Sequence, residues 1–481
     1  MTSFPIRKAG CYLPIAACTL CVVLCGCPQP SSPSAPPTAA SVPGNVKITV
    51  TVVGDQEMAG SIARRRGEWE ERNGSHLEVQ EMTPGELTRT EALQGDVIIY
   101  PVHSMGALVE RNWIIPVRKQ LIESEEYNLG DIFSLLHGRV ATWGERVMAA
   151  PLGVPCLVLY YRTDIFEALD RRPPETWKQY EMLVDFFRQS KNLGDFAPPS
   201  GSAWHATLEP WSEAWGGRLL LARAAAYIQH PNRISDLFES ETMEPLIATA
   251  PFVRALTEMR TAAGDADHRE SDPHSVRREF MAGHAPMALS WPSAAADLRG
   301  KVAAAFAELP GAAEVFNPNA SSWEPREASD RHVSVLGVSG RLVSVTEACR
   351  NVPTAFQFVE WIASGDVSRQ VCAASLDTTL FRQSHRARPE VWVEPAVHTS
   401  AQQYADIVVR TQTRSRCLIV PRIHAADRYL AALNQAVKYA LEGSQTPKAA
   451  LQQAASRWQA ITQEVGVEKQ HTAYRRSLGL R

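Results

Sequence analysis

The sequence predicts an α/β protein built on a mostly parallel sheet with helices on its faces, and three stretches carry that expectation. Lys47 to Val53, KITVTVV, is a β-branched run of strand character. The turn Gly54-Asp55 and a helical stretch from Met58 to Arg72 follow it. A second apolar strand, Asp96 to Tyr100, again leads into a helical segment through Leu108 and Val109. Alternating strand and helix is the pattern of a parallel sheet covered on its faces. Ligands of such sheets sit beyond the carboxyl ends of the strands, so the loops at 54–57 and 101–104 are the first places to look for function.

Two further apolar strands, Val147 to Pro151 and Cys156 to Tyr161, precede a short helix and the segment PPETWKQ at 173–179. Thr176 with Gln179 forms a capping box that satisfies free amides at the start of a helix carrying Leu183, Phe186 and Phe187. Downstream the pattern is mainly helical, with Gly and Pro punctuation. A strand-like patch from His332 to Val345 precedes helices with Phe356, Phe358, Val359 and Trp361 on an apolar side. Long helical stretches run from Asp427 to Leu441 and from Ala449 to Ile461, and no solenoid repeat is visible.

The N-terminus carries Arg7 and Lys8, then an apolar run from Cys11 to Leu24, then Leu24-Cys25-Gly26-Cys27. The run is short for a bilayer span and fits the apolar part of an export signal, so residues 1–27 read as a signal peptide. The tetrad resembles a bacterial lipobox, with Cys27 as the residue lipidated on sulfur; Cys25 departs from the small or branched residue usual there. Residues 28–44 are rich in Pro, Ser and Ala, without charge, and read as a semi-extended tether. The whole chain of 481 residues has 45% hydrophobic content, enough for substantial cores, and 49 basic against 52 acidic residues. That balance leaves no excess positive charge for a phosphate backbone, which argues against nucleic acid as a partner. Of nine cysteines, Cys156, Cys349, Cys372 and Cys417 stay in the mature fold beside Cys27. Their spacing matches no zinc pattern, and either one disulfide or buried free thiols fits it.

Several segments together resemble the family 1 extracellular solute-binding proteins, the group that includes maltose-binding proteins and other sugar-binding lipoproteins. They are DVIIYPVHSMGALVERNWIIPV at 96–117, APLGVPCLVLYYRTDIFEALDRRPPETWKQYEMLVDFF at 150–187, REFMAGHAPMALSWPS at 278–293, NVPTAFQFVEWIASGDVSRQ at 351–370 and ALEGSQTPKAALQQAASRW at 440–458. Each is weak alone; their order and spacing across most of the mature chain carry the likeness. The resemblance implies an α/β, two-lobed periplasmic-binding-protein-like fold of type II with a cleft between the lobes. Lobe 1 is expected at 45–163 and about 335–400, and lobe 2 at 164–334 and about 401–481. It implies a monomer that captures a small solute, a carbohydrate in class, and delivers it to the transmembrane subunits of an ABC permease. No cofactor, metal or catalytic residue is expected. The location implied is the outer face of a bacterial membrane, through the lipid anchor.

Sugars present apolar C–H faces and many hydroxyls, so their sites need aromatic planes together with carboxylates or amides. Asp55 falls where the family often places a polar contact. Tyr100 and His103 end a strand and enter the next cleft loop. Trp204, Trp211 and Trp215 precede Gly216-Gly217, where similar proteins line the cleft with aromatics, and Trp291 follows the strand at Met287. Tyr160, close to the crossing strands, fits hinge packing as well as ligand contact, whereas Trp177 and Trp361 read as core. The loop with Asp265, Asp267, His268, Asp272 and His274 lacks ordered ligand spacing and reads as solvated. The short motifs of serine hydrolases, zinc proteases, P-loops and dinucleotide folds are missing from the sequence. An exported glycan-acting enzyme and a ligand-sensing partner of a membrane receptor are the alternative readings.

Overall fold

The computed structural model describes residues 46–198, 203–264, 271–294, 298–300 and 302–480. The signal and tether segments with Cys27, and residues 265–270 of the Asp- and His-rich loop, lie outside them. Along the chain, the elements that position the site begin with β1 (Lys47–Val53), α1 (Gln56–Arg64), β2 (His76–Met82) and β3 (Val97–Pro101). Then come β4 (Ala150–Pro151), β5 (Val158–Arg162), α2 (Trp177–Phe187), α3 (Gly216–Ile228), β6 (Met287–Ser290) and β7 (Ala304–Glu308). The last group is β8 (Ser334–Leu336), β9 (Arg341–Val345), α4 (Val352–Ala363), α5 (Ala401–Thr413), β10 (Cys417–Ile419), α6 (Ala426–Leu441), α7 (Pro447–Val465) and α8 (Val467–Ser477).

Two sheets organise the fold. The first has the order β2-β1-β3-β9-β4. Its first three strands are parallel, with Val50 opposite both Val79 and Val97. β9 runs antiparallel to β3 and to β4, pairing Val343 with Ile99 and Leu342 with Pro151. The second sheet, β6-β5-β7, is antiparallel throughout, with Tyr160 between Ala288 and Phe306. The mostly parallel sheet expected from the sequence is therefore confined to three strands. The strand at 158–162, expected in the first lobe, pairs within the second sheet, because the chain crosses over at 152–157 between β4 and β5. A small parallel pair, β8 and β10, stands apart from both sheets, with Val335 opposite Leu418.

Local chemistry explains the element ends. Asp55 caps α1 by accepting from Met58 N at 3.0 Å, and Gly54 ahead of it adopts φ +63°, a turn that costs an L side chain strain. The Thr176 and Gln179 capping box forms as read, Thr176 Oγ1 accepting from Gln179 N at 3.3 Å. Asp272, in the expected solvated loop, caps the helix at Pro273–Met281 through Ser275 N at 2.7 Å. The core fills both faces of β3, whose five residues are all buried, and includes Trp69, Trp177, Trp361 and Trp458. Cys156, Cys349, Cys372 and Cys417 are free thiols. Among the described residues no helix is long and apolar enough to cross a membrane.

Candidate functional site

The loops at the carboxyl ends of β1, β3 and β6 are joined by a chain of contacts through α3, α6 and the segment at 377. Trp291, just past β6, lies against Trp215 at the start of α3, with centroids 4.8 Å apart and planes tilted by 44°. Trp291 is 3% exposed and is the backing partner, whereas Trp215 is half-buried and presents the open surface. One turn on, the Arg218 guanidinium lies 5.0 Å from the Trp215 ring centre, and Nε donates to Val338 O at 2.9 Å. Burial presses the Arg218 pKa down, and the charges of Asp377 and Asp427 oppose that shift.

These two carboxylates bring in the rest of the group. Asp427, in the first turn of α6, lies 3.0 Å from His103 Nε2. That hydrogen bond, with the charges of His103 and Arg218, holds the Asp427 carboxyl below the usual range against its desolvation. Arg341, on β9, bridges Asp377 at 2.6 Å and Asp55 at 3.0 Å, and also donates to Gly54 O at 2.9 Å. Asp55 accepts from Ser375 Oγ at 2.6 Å as well, so this residue is a helix cap and an ion-pair partner rather than a solvated turn. The Asp377 and Asp427 side chains keep 29% and 61% exposure, leaving acceptor capacity for a solute.

Of the residues expected from sequence to meet ligand, Asp55, His103, Trp215 and Trp291 come together here. Tyr100, Tyr160, Trp204 and Trp211 do not. Tyr100 is fully buried, its hydroxyl 3.0 Å from Ser344 Oγ, and burial pushes its pKa up. Tyr160 is equally buried and donates to Glu394 at 3.1 Å, so it packs the second sheet. Trp211, 2% exposed, donates through Nε1 to Glu209 at 3.2 Å. Trp204 donates to Phe187 O at 3.3 Å, at the end of α2. Four residues of the group escaped sequence reading: Arg218, Arg341, Asp377 and Asp427. A signal for the first was present in Gly216-Gly217. A Cβ on Gly217 would stand 2.9 Å from both Leu433 Cβ and Asn434 N, so this glycine allows α3 and α6 to approach and brings Arg218 towards Asp427.

Behind the site, buried polar pairs fix the aromatic loop. Arg277 Nη1 donates to Trp291 O at 2.6 Å, its Nε meets Glu394 at 2.5 Å, and Glu394 also accepts from Ser293 N at 3.2 Å. Burial raises the Glu394 pKa, and the Arg277 charge works against that. A cavity of about 30 Å³ beside Trp291, lined also by Cys156, Val338 and Gln412, has room for about one water and none for a sugar ring. The open surface of the pair is therefore on the Trp215 side. The arrangement offers an aromatic plane, two partly open carboxylates from α6 and the segment at 377, and a guanidinium from α3, a donor and acceptor set of the kind a hydroxylated solute needs.

Comparison with known proteins identifies the fold. The chain is similar in fold to an ABC transporter solute-binding protein from Agrobacterium radiobacter, solved in complex with ribitol. Identity is 16%, TM-score 0.62, and the match covers 86% of this chain and 98% of that one. A solute-binding protein from Agrobacterium vitis with bound D-mannitol gives 16% identity and TM-score 0.61 over 87% and 99% of the two chains. The sugar-binding protein MalE from Xanthomonas citri gives 16% and 0.63 over 87% and 98%. The fold is the two-lobed α/β fold of these periplasmic binding proteins. Residues 68–399 match the model of one protein family. On that match the chain belongs to the bacterial extracellular solute-binding protein family.

Proposed function

We propose that this protein captures a sugar or polyol between its two lobes and hands it to the membrane permease of an ABC importer. The observation that carries the reading is the tilted Trp215 and Trp291 pair with Arg218 against Trp215, and Asp377 and Asp427 close enough to Arg218 to act on its charge. The fold neighbours solved with ribitol and D-mannitol support a polyhydroxylated solute. Membership of an extracellular family supports export. The tetrad ending in Cys27 supports anchoring by lipid on the outer face of the membrane. The protein acts as a monomer, and the lobes close about the segments at 152–157 and the β8 and β10 pair.

The test is a thermal-shift and calorimetric screen of pentitols, hexitols, monosaccharides and maltose against purified protein. A ligand should raise the melting temperature by mass action and be recovered chemically unchanged after long incubation. Recovery of a cleaved or oxidised product would instead establish an enzyme. For the anchor, Cys27→Ser should abolish incorporation of labelled fatty acid; continued labelling would remove the lipobox assignment.

A further inference from the structure

A second charged pocket lies at the β10 strand, lined by residues outside the candidate site. It is a cavity of about 270 Å³ walled by Arg139, Arg233, Arg416, Asp236 and Tyr474. Arg139 lies in the helical turn Leu136–Val140 upstream of β4, Arg233 follows α3, Arg416 precedes β10 and Tyr474 comes from α8, so four separate segments converge on it. Two more arginines stand immediately behind. Arg326 is 8% exposed and donates to the carbonyls of Gln229 and Asp330 at 2.6 and 3.2 Å. Arg422 is 1% exposed and donates to the carbonyls of Val140 and Ser477 at 2.7 and 2.8 Å.

The charge does not balance. Among the described residues only Arg416 of these five meets a carboxylate, Asp330 at 2.8 Å. Arg139 and Arg233 reach backbone carbonyls, those of Leu478 at 3.4 Å and Ser235 at 2.8 Å. Burial and the like charge of Arg416 press Arg326 down to about 10, and burial with Arg139 does the same to Arg422. The remaining acid, Asp236, is hydrogen-bonded by Gln229; burial lifts its carboxyl to about 7 against the charges of Arg233 and Arg139, and even when ionised it and Asp330 supply two negative charges against five arginines. Arg139 is exposed and Arg233 and Arg416 are half-buried, so the guanidinium groups that wall the cavity are open to an anion from solvent, with Arg326 and Arg422 adding uncompensated charge behind them.

We propose that this pocket binds a phosphate-type oxyanion held by Arg139, Arg233 and Arg416. The guanidinium fork matches the oxygen spacing of such a group, and the cavity holds it with a few waters. The anion joins the segment before β4 to the loop after α3 and to β10, which pairs with β8. It is a site apart from the solute cleft.

The test uses the full chain, with inorganic phosphate against sodium chloride at matched ionic strength. Phosphate should raise the melting temperature saturably and beyond chloride. Arg233→Gln and, separately, Arg139→Gln should weaken phosphate binding about tenfold in calorimetry. Polyol or sugar binding should persist in both. Arg139 is exposed and its replacement leaves the core intact, so one interpretable variant survives if the other misfolds. Phosphatidylglycerol vesicles form the second arm. Saturable binding of free phosphate identifies a soluble anion, and co-sedimentation lost in Arg233→Gln identifies a lipid headgroup. Equal effects of phosphate and chloride with no arginine-dependent vesicle binding would overturn the proposal, as would phosphate affinity unchanged in both variants.

Discussion

Two arginine and carboxylate clusters in this chain have opposite solvent access. In the first, Arg223 meets Glu209 at 3.0 Å with side chains only 2% and 0% exposed. Glu209 also accepts from Tyr180 at 2.8 Å and Trp211 at 3.2 Å, so its oxygens are spent inside the protein. In the second, Arg341 holds Asp55 and Asp377, and Arg218 and His103 stand by Asp427, yet Asp377 and Asp427 remain partly open. A sealed cluster makes structure; an open one keeps lone pairs for a solute. Glu209→Ala should therefore be the most damaging of these changes, since it leaves the Arg223 charge buried and unpaired at a cost of about 3–5 kcal/mol. Urea denaturation measures it, and a loss below about 1 kcal/mol would place this cluster in the open class.

The same contrast separates the touching tryptophans. Trp291 is sealed behind Trp215, and its replacement by Ala should leave a cavity lowering stability by about 3–5 kcal/mol with or without solute. Trp215→Ala should leave apo stability nearly intact and weaken solute binding by about 1–3 kcal/mol, or roughly 5- to 150-fold. The reverse pattern, with Trp291 carrying affinity and Trp215 carrying stability, would turn the site around.

A sealed histidine sharpens the comparison through pH. His385, fully buried, lies with Nε2 3.0 Å from Gly365 O and 3.1 Å from Ser368 Oγ. Burial first, and the Arg382 charge second, press its pKa to about 3. The unfolded chain takes up this proton near pH ~6.5, so between these values the unfolded state binds more protons. Stability from this group is thus complete above about pH 6.5 and declines as the pH falls towards 3, with a slope of at most about 1.4 kcal/mol per unit. His385→Gln should flatten the stability profile between about pH 4 and 6 relative to the parent chain. Parallel profiles would mean that His385 takes up its proton in the folded state as well.

What could be read from sequence follows from where information is local. β1, the capping box at Thr176 and the long helices were legible because β-branched runs, caps and apolar spacing act within a few residues. β2 was missed because HLEVQEM is half polar at the sheet edge. The face presented by Tyr100 was not readable, since every position of β3 is buried and the period of two that distinguishes faces disappears. His103 and Trp291 could be placed from strand ends, but Arg218, Asp377 and Asp427 reach the site only through tertiary approach. The sheet that β5 joins was hidden for the same reason: it reads as apolar strand in either sheet, and only its pairing with β6 and β7 decides.

The smallest expected effect on stability belongs to Asp427, and it tests the open cluster most directly. Its side chain is 61% exposed, so its pairing with His103 is worth about 0–1 kcal/mol and Asp427→Asn should melt within a degree or two of the parent. The substitution keeps one acceptor oxygen and removes the charge. If a solute hydroxyl donates to this carboxylate, the bond falls from the charge-assisted to the neutral class, a difference of about 1 kcal/mol or roughly fivefold in affinity. The His103 hydrogen bond holds the Asp427 carboxyl below its ordinary range, so the parent protein should keep its affinity down to about pH 4 while the variant shows the weaker value throughout. Salt separates the solute classes: a neutral polyol binds alike in low and high salt, whereas a cationic solute loses affinity as the Asp427 charge is screened. A stable Asp427→Asn protein with parental affinity would remove Asp427 from the site and leave recognition to Trp215, Arg218 and Asp377.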